Sequence, residues 1–252
     1  MTLSPLKILY AGDSPVGGAA NYLLGILRFL RAEVLHLPPS APLRTSHLAR
    51  SFHAIILSDY SKDQVSKEAE NRIVKQVQAG AGLWMIGGWG SFSGPFGKWR
   101  GSRIEKFLPV DCLAKDDRIH FPSGAWAILN RADSFLRPAW FRQPPVICGL
   151  NRLRPKKDSS TILEAREIAG SDKKIRLGPL RYPLLVTSKN TSYKSCAFAS
   201  DLAPHWCGGL VDWGKKRLTL PVAEGIQIQV GDFYVRFVGS ILNWLAASGN
   251  FK

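Results

Sequence analysis

The sequence predicts an α/β protein built on a mostly parallel central sheet with helices on both faces. Two observations carry this. Short apolar runs alternate with helical stretches through the first ninety residues, joined by brief links rich in Gly, Pro and Asp. One of those stretches also has both a helix start signal and a stop signal.

The first predicted strand is Leu6 to Tyr10 (LKILY), which breaks at Gly12-Asp13-Ser14-Pro15. Gly17 and Gly18 lead into a helix over Ala19 to Leu30 that is apolar on most faces and therefore buried. Glu33 to Leu37 reads as a second strand, closed by Pro38-Pro39, and His53 to Ser58 (HAIILS) as a third, ending at Asp59. Ser61 and Gln64 have the spacing of a capping box. Val65, Ala69, Ile73 and Val77 then give one apolar stripe until Gly80 and Gly82 stop the helix. Leu83 to Ile86 (LWMI) is the fourth strand, and residues 87–101 form a Gly-, Ser- and aromatic-rich loop.

Beyond this point Pro138, Pro144, Pro145, Pro155 and Pro179 divide the chain into short extended pieces. Val146 to Leu150, Thr161 to Ala165, Leu184 to Thr187 and Cys196 to Ser200 are the expected strands, the last ending at Asp201 before Pro204-His205-Trp206. Asp232 to Ala247 closes the chain as a helix with Phe233, Phe237, Ile241 and Trp244/Leu245 on its apolar face. With no internal repeat and no long linker, residues 1–252 are expected to form a single domain.

The composition, 45% hydrophobic and 21% charged, excludes a disordered chain, a collagen-like repeat and a coiled coil. No apolar run approaches the roughly 20 residues that span a bilayer, and the N-terminus lacks a signal-peptide pattern, so a cytoplasmic protein is expected. Cys112, Cys148, Cys196 and Cys207 lack CxxC spacing, so reduced thiols are expected rather than a disulfide scaffold or a zinc site. No metal or cofactor is expected. The net charge of +15 raises the chance of an anionic ligand, but the basic residues are scattered: Lys98 and Arg100, Arg154 to Lys157, Lys173 and Lys174, Lys215 to Arg217. Without a basic helix or a nucleic-acid motif, a nucleic-acid partner is not expected. Phe92, Phe96, Trp99, Trp140 and Phe141 lie in loops, which suggests a homo-oligomer interface.

Ligands collect outside the carboxyl ends of parallel strands. Four predicted strand ends carry polar residues: Asp13 and Ser14, Asp59 and Tyr60, Gly87 to Ser91, and Asp201 with His205. Each also has a structural reading. Asp13 and Asp59 suit turns and caps, and His205 could be a packed loop histidine. Neither Gly12-x4-Gly17-Gly18 nor Gly88-x-Gly90-x3-Gly94 fits a nucleotide fingerprint. Asp116-Asp117, followed by Arg118, reads as a solvated turn or ion pair.

The strings GDSPVGGAANYLLGIL (12–27), AIILSD (54–59), GLWMIGGWGSFSG (82–94), LPVDCLAKDDR (108–118), GLN (149–151) and SDLAPHW (200–206) run in the order seen in class I glutamine amidotransferase-like proteins. In that order the chain resembles their uncharacterised bacterial branch, over about residues 6–247. The resemblance implies a flavodoxin-like three-layer sandwich. It also implies a strand-to-helix turn, G-x-C-x-G in working members, that presents a cysteine nucleophile, with a His-x-Glu completing the triad. Here that turn reads Gly87-Gly88-Trp89-Gly90-Ser91, which puts Trp89 where the cysteine would be. His205 stands at the histidine position and Cys207 at that of the Glu.

An indole cannot attack a carboxamide, so ordinary glutaminase activity is not expected. The leading reading is a site for a small-molecule, anionic or protein ligand. It is lined by Asp13, Ser14, Asp59, Gly87, Gly88, Gly90, Ser91, Asp201 and His205, with Trp89, Trp206 and Tyr60 as walls and the backbone N–H groups of the turn holding an anion or carboxylate. The enzyme alternative is a hydrolase or transferase using Ser91 or Cys207 with His205 as base. The third reading is a non-catalytic oligomeric structural subunit.

Overall fold

The computed structural model describes residues 5–14, 18–131, 134–171 and 174–247. Pro15, Gly17 and Lys173 lie outside them. The strands are β1 (Lys7–Gly12), β2 (Glu33–Leu37), β3 (Ala54–Ser58), β4 (Gly82–Ile86), β5 (Val110–Asp111), β6 (Arg118–Leu129), β7 (Val146–Asn151), β8 (Arg154–Pro155), β9 (Ser159–Ser171), β10 (Lys174–Leu177), β11 (Tyr182–Ser188), β12 (Ser195–Phe198), β13 (Arg217–Ala223) and β14 (Ile226–Gly231). The α-helices are α1 (Ala20–Phe29), α2 (Lys67–Gln78), α3 (Pro204–Cys207) and α4 (Asp232–Ala246).

One large sheet runs β2-β1-β3-β4-β12-β11-β9-β6-β7, with β10 added on β9. Its first half is parallel: β1 pairs with β2 and β3, β3 with β4, and β4 with β12. From β12 onward every pairing is antiparallel. The expected mostly parallel sheet is therefore a mixed one. The chain leaves the sheet after β4 and returns to that strand's side only at β12. Between them, Pro-punctuated turns join strands that can be neighbours only by running antiparallel. β5 pairs with β8 and β13 with β14 as separate two-stranded ribbons.

The core is continuous from the parallel strands into the helices. Leu9, Tyr10, Ile55, Ile56, Trp84, Met85 and Ile86 are all fully buried. The apolar face of α4 lands on β4: a Cβ added at Gly82 would sit 2.6 Å from the Cβ of Leu245. α1 packs against β13, β14 and α4, while α2 packs against the turn of 3-10 helix at Thr45–Leu48. Among the described residues, no helix is long and apolar enough to cross a membrane.

Several expectations change in detail. Ser61 caps only a 3-10 turn at Lys62–Gln64, accepting the Asp63 N–H at 3.2 Å. The true start of α2 is capped by Ser66, which accepts the Ala69 N–H at 3.1 Å. Val65 lies outside the helix in a bridge to Leu43, leaving Ala69, Ile73 and Val77 as the buried stripe. Of the five loop aromatics proposed as an interface, Phe92, Trp99 and Trp140 are buried, Phe141 is half-buried, and only Phe96 is exposed. Asp116 behaves as expected, held by the Arg118 guanidinium, but Asp117 is fully buried.

Candidate functional site

Four parallel neighbours, β1, β3, β4 and β12, end on the same edge of the sheet, and each delivers polar residues there. Gly12 pairs with Ser58, so Asp13 and Asp59 follow equivalent positions on adjacent strands. Both adopt left-handed backbone conformations, with φ of 52° and 48°; Asp tolerates this region because its short side chain bonds locally. Asp13 is buried and accepts the Tyr10 hydroxyl. Burial, only partly offset by that bond, pushes its carboxyl up to about 7.

Asp59 turns its carboxylate onto the chain after β4. It accepts the Gly90 N–H and is also held by the Trp89 N–H; burial nevertheless raises its pKa. The approach is possible because Gly88 has no side chain: a Cβ there would lie 2.6 Å from Asp59 Oδ1, at a φ of 150°. The Gly88 N–H goes to Asn151 Oδ1 at 2.9 Å. Asn151 Nδ2 donates to Gly88 O at 3.2 Å and to Asp117 Oδ1 at 2.6 Å, and Asp117 Oδ2 takes the Ser93 N–H at 2.8 Å. The Gly-rich turn is thus clamped on one side by Asp59 and on the other by Asn151 and Asp117. The N–H groups expected to hold an external anion are occupied from within the protein, those of Gly88, Trp89 and Gly90 by side chains and those of Gly87 and Ser91 by backbone carbonyls. No helix follows the turn either; residues 87–104 are turns, bends and irregular chain, so no helix dipole points at it.

Trp89 is 45% exposed. The Arg118 guanidinium lies over its ring at 4.0 Å, and Phe96 stacks beside it with centroids 6.4 Å apart. Arg118 is itself held by Asp116, through Nη2 to Oδ2 at 2.7 Å. The indole is therefore a fixed aromatic surface at the mouth of the site.

β12 leads to Asp201, which is buried and accepts the N–H groups of Ala203 and Cys207, both at 3.1 Å. Its other oxygen lies 2.9 Å from His205 Nε2. The bond to Asp201 raises the pKa of His205, with Asp13 and Asp59 adding to the effect. Burial raises that of Asp201. The imidazole remains largely exposed, at 63%. A solvent-facing His–Asp pair with two further carboxylates nearby can hold a proton or accept hydrogen bonds.

Asp13, Asp59, Asp201, His205 and Trp89 thus come together with Gly88 and Gly90 of the turn, while Ser14, Tyr60, Ser91, Trp206 and Cys207 are engaged elsewhere. Ser14 accepts the Ala19 N–H at 2.7 Å ahead of α1. Tyr60 is buried, with its hydroxyl on Ala41 O at 2.6 Å. Trp206 is buried against Gly149 and edge-on to His120. The buried Ser91 hydroxyl donates to Ile86 O and accepts the Asp59 N–H at 3.0 Å. Cys207 is fully buried, and burial pushes its thiol well up, away from thiolate chemistry. Among the described residues, no hydrogen bond links Ser91 or Cys207 to His205, so neither nucleophile of the enzyme alternative is presented to the base. Nor does any group of described His, Cys, Asp and Glu residues have the arrangement of a metal site.

Tyr10, Asn151, Asp117 and Arg118 shape this site without having been singled out for it. Asn151 closes the string GLN and Asp117 sits in LPVDCLAKDDR, so both lay within motifs whose partner was not readable from sequence.

Solved structures share this architecture. The Salmonella typhimurium cytoplasmic protein STM3548 superposes with a TM-score of 0.72 at 23% identity, over 95% of this chain and 99% of its own. The cytoplasmic protein STM1381 from Salmonella typhimurium LT2 gives 0.69 at 24% identity, over 95% and 99%. A "putative ThuA-like protein" of Parabacteroides merdae gives 0.59 at 16%, over 99% and 93%. At these identities the likeness is one of fold. No curated protein matches the chain. The model of the "Putative glutamine amidotransferase" (GATase1-like) family matches residues 19–223, most of the chain, and the protein belongs to that family.

Proposed function

We propose that this family member does not hydrolyse glutamine and that it binds a small hydrogen-bonding ligand, neutral or cationic, at the strand-end edge. The observation that carries this is the Asp59 carboxylate on the Gly90 N–H. Acyl transfer needs preorganised donors free to meet a developing oxyanion, and here a resident anion takes that place. Trp89, at the position that the resemblance gives to the nucleophile, offers a ring face rather than a thiolate. Asp59 and Asp201, joined by Asp13 above about pH 7, make the floor electronegative, which disfavours an anion and favours hydroxyl or amine donors, with His205 able to give or take one proton.

The parallel half is read as the flavodoxin-like three-layer arrangement. β1–α1–β2 and β3–α2–β4 step in opposite directions across the sheet, so right-handed crossovers would put their helices on opposite faces. A cytoplasmic location is proposed alongside, supported by the lack of a membrane-length helix among the described residues and by the cytoplasmic Salmonella proteins of the same fold.

The test is a thermal-shift screen of polyols and primary amines against carboxylates and phosphates, repeated on Trp89→Ala and His205→Ala. Stabilisation by members of the first two groups, lost in both variants, is the expected result. A hit that both variants retain, or ammonia release from glutamine by the unaltered protein, overturns the reading.

A further inference from the structure

Apart from Arg118 over Trp89, the basic residues that give the chain its net charge of +15 take no part in the strand-end site described above. Some of them line a second concavity that shares no residue with it. This cleft, about 610 Å³, is bounded by Ala139, Trp140, Arg142, Gln143, Lys215, Lys216, Asp232, Phe233 and Arg236. Its volume falls in the range of small-molecule sites, roughly 300–1,000 Å³.

Four cations meet one carboxylate there. Asp232 ion-pairs with Arg236 at 3.6 Å and accepts the backbone N–H groups of Lys215 and Lys216, at 2.7 and 3.0 Å. Those contacts hold the loop in place through its main chain and leave the Lys215 and Lys216 ammonium groups free to project. Among the described residues, no carboxylate lies within ion-pair distance of Arg142, Lys215 or Lys216. The start of α4 offers no spare donors, because the N–H groups of Phe233 and Tyr234 go to Trp213 O and that of Asp232 to Lys216 O. An anion here would be bound by side chains. All four cations are exposed at the rim of the concavity, where their mutual repulsion is relieved by an anion and their summed field draws one in, both effects weakening with salt. The floor is aromatic: Trp140 and Phe233 stack with centroids 6.1 Å apart and planes 25° apart, Trp140 buried and Phe233 half-buried.

We propose that this cleft binds a phosphorylated small molecule carrying a flat ring, of the nucleoside monophosphate class. The phosphate would sit among Arg142, Lys215, Lys216 and Arg236, and the ring over Phe233. A bidentate guanidinium and paired ammonium groups suit a phosphate's several acceptor oxygens, and the aromatic floor suits a base rather than a bare ion.

The test is titration calorimetry with adenosine 5′-monophosphate, inorganic phosphate and adenosine on the unaltered protein, Arg142→Ala and the double variant Lys215→Ala/Lys216→Ala. Circular dichroism confirms that each variant is folded. The expected result is that the monophosphate binds at least about tenfold more tightly than either fragment and weakens at higher salt. The double variant should then lose about tenfold or more of that affinity. Trp89→Ala should bind the monophosphate unchanged, which keeps this result separate from the fate of the strand-end reading. No heat with the monophosphate at ~1 mM overturns the proposal, as does equal affinity in the double variant. Tighter binding of a single-stranded oligonucleotide through the same lysines also overturns it, and would make the cleft part of a nucleic-acid surface.

Discussion

The Asp59 carboxylate rests on the backbone N–H of Gly90, and the missing side chain of Gly88 is what lets it approach. Two strands meet through this contact: the end of β3 supplies the anion and the end of β4 the donor. On the proposed reading, glutaminase chemistry is blocked twice, by the indole at the position the family resemblance gives to the nucleophile and by a resident anion on the neighbouring donors. Restoring the thiol alone should not restore the reaction. Trp89→Cys is expected to release no ammonia from glutamine above the unaltered protein, measured by coupled assay. Turnover by that single variant would show that Asp59 is no barrier.

His205 should titrate above the ordinary histidine value because the Asp201 carboxylate bonds its ring, with Asp13 and Asp59 reinforcing the effect. A histidine with a raised folded-state pKa adds stability that is fully present below about 6.5 and lost as pH rises through the raised value. Since the ring is largely exposed, that contribution is screened and small. The useful readout is the imidazole itself. In an NMR pH titration, Asp201→Asn is expected to bring the His205 midpoint down; an unchanged midpoint would mean that the 2.9 Å pair does not set it.

The parallel half of the fold was legible because buried parallel strands are short, wholly apolar and separated by strong breakers. β2 matches its expected span, and β1, β3, β4, α1 and α4 differ by one or two residues at their ends. The antiparallel half was harder to read. β6 carries Pro122 and Gly124 at a register shift, which hides its alternation. The β13–β14 hairpin carries a plain signal of its own. Leu218, Leu220 and Val222 answer Ile226, Ile228 and Val230 at period two across Glu224-Gly225. For the site, strand ends named the four aspartate and histidine positions that converge. Sequence could not tell that Ser91 and Tyr60 turn inward, because a hydroxyl's direction depends on partners far along the chain, such as Ala41 for Tyr60.

Asp13 predicts an unusual pH dependence of stability. Burial raises its folded-state carboxyl from 3.8 to about 7, so between these values the native state holds a proton that the unfolded chain releases. Stability from this group is greatest in acid and falls as pH rises from about 4 to about 7, opposite to a salt-bridged aspartate. At pH 8 the native state keeps a buried carboxylate with the Tyr10 hydroxyl as its neutral donor. The penalty is bounded at about 4 kcal/mol by a three-unit shift. Asp13→Asn should remove it. In urea denaturation across that range, the variant is expected to show a flatter pH profile than the unaltered protein and higher stability at pH 8. Parallel profiles would show that Asp13 is ionised throughout.

Asn151 joins the two halves of the sheet at the site. It stands at the end of β7, in the antiparallel half, and bonds both the N–H and the carbonyl of Gly88 after β4 as well as the buried Asp117. Each of these groups is far from water, so removing the amide leaves a backbone N–H and a carboxylate oxygen without a partner at once. Unsatisfied buried groups cost roughly 1–3 kcal/mol each, more when charged. Asn151→Ala is accordingly expected to lower unfolding stability by about 3 kcal/mol or more, read from the urea midpoint at constant m. It should also release the turn that carries Trp89. Its amide protons at Gly88 and Ser93 should then exchange faster with solvent, while those in β1 and β3 stay protected. A loss of stability with no faster exchange at Gly88 would place the effect in the general core, not in this clamp.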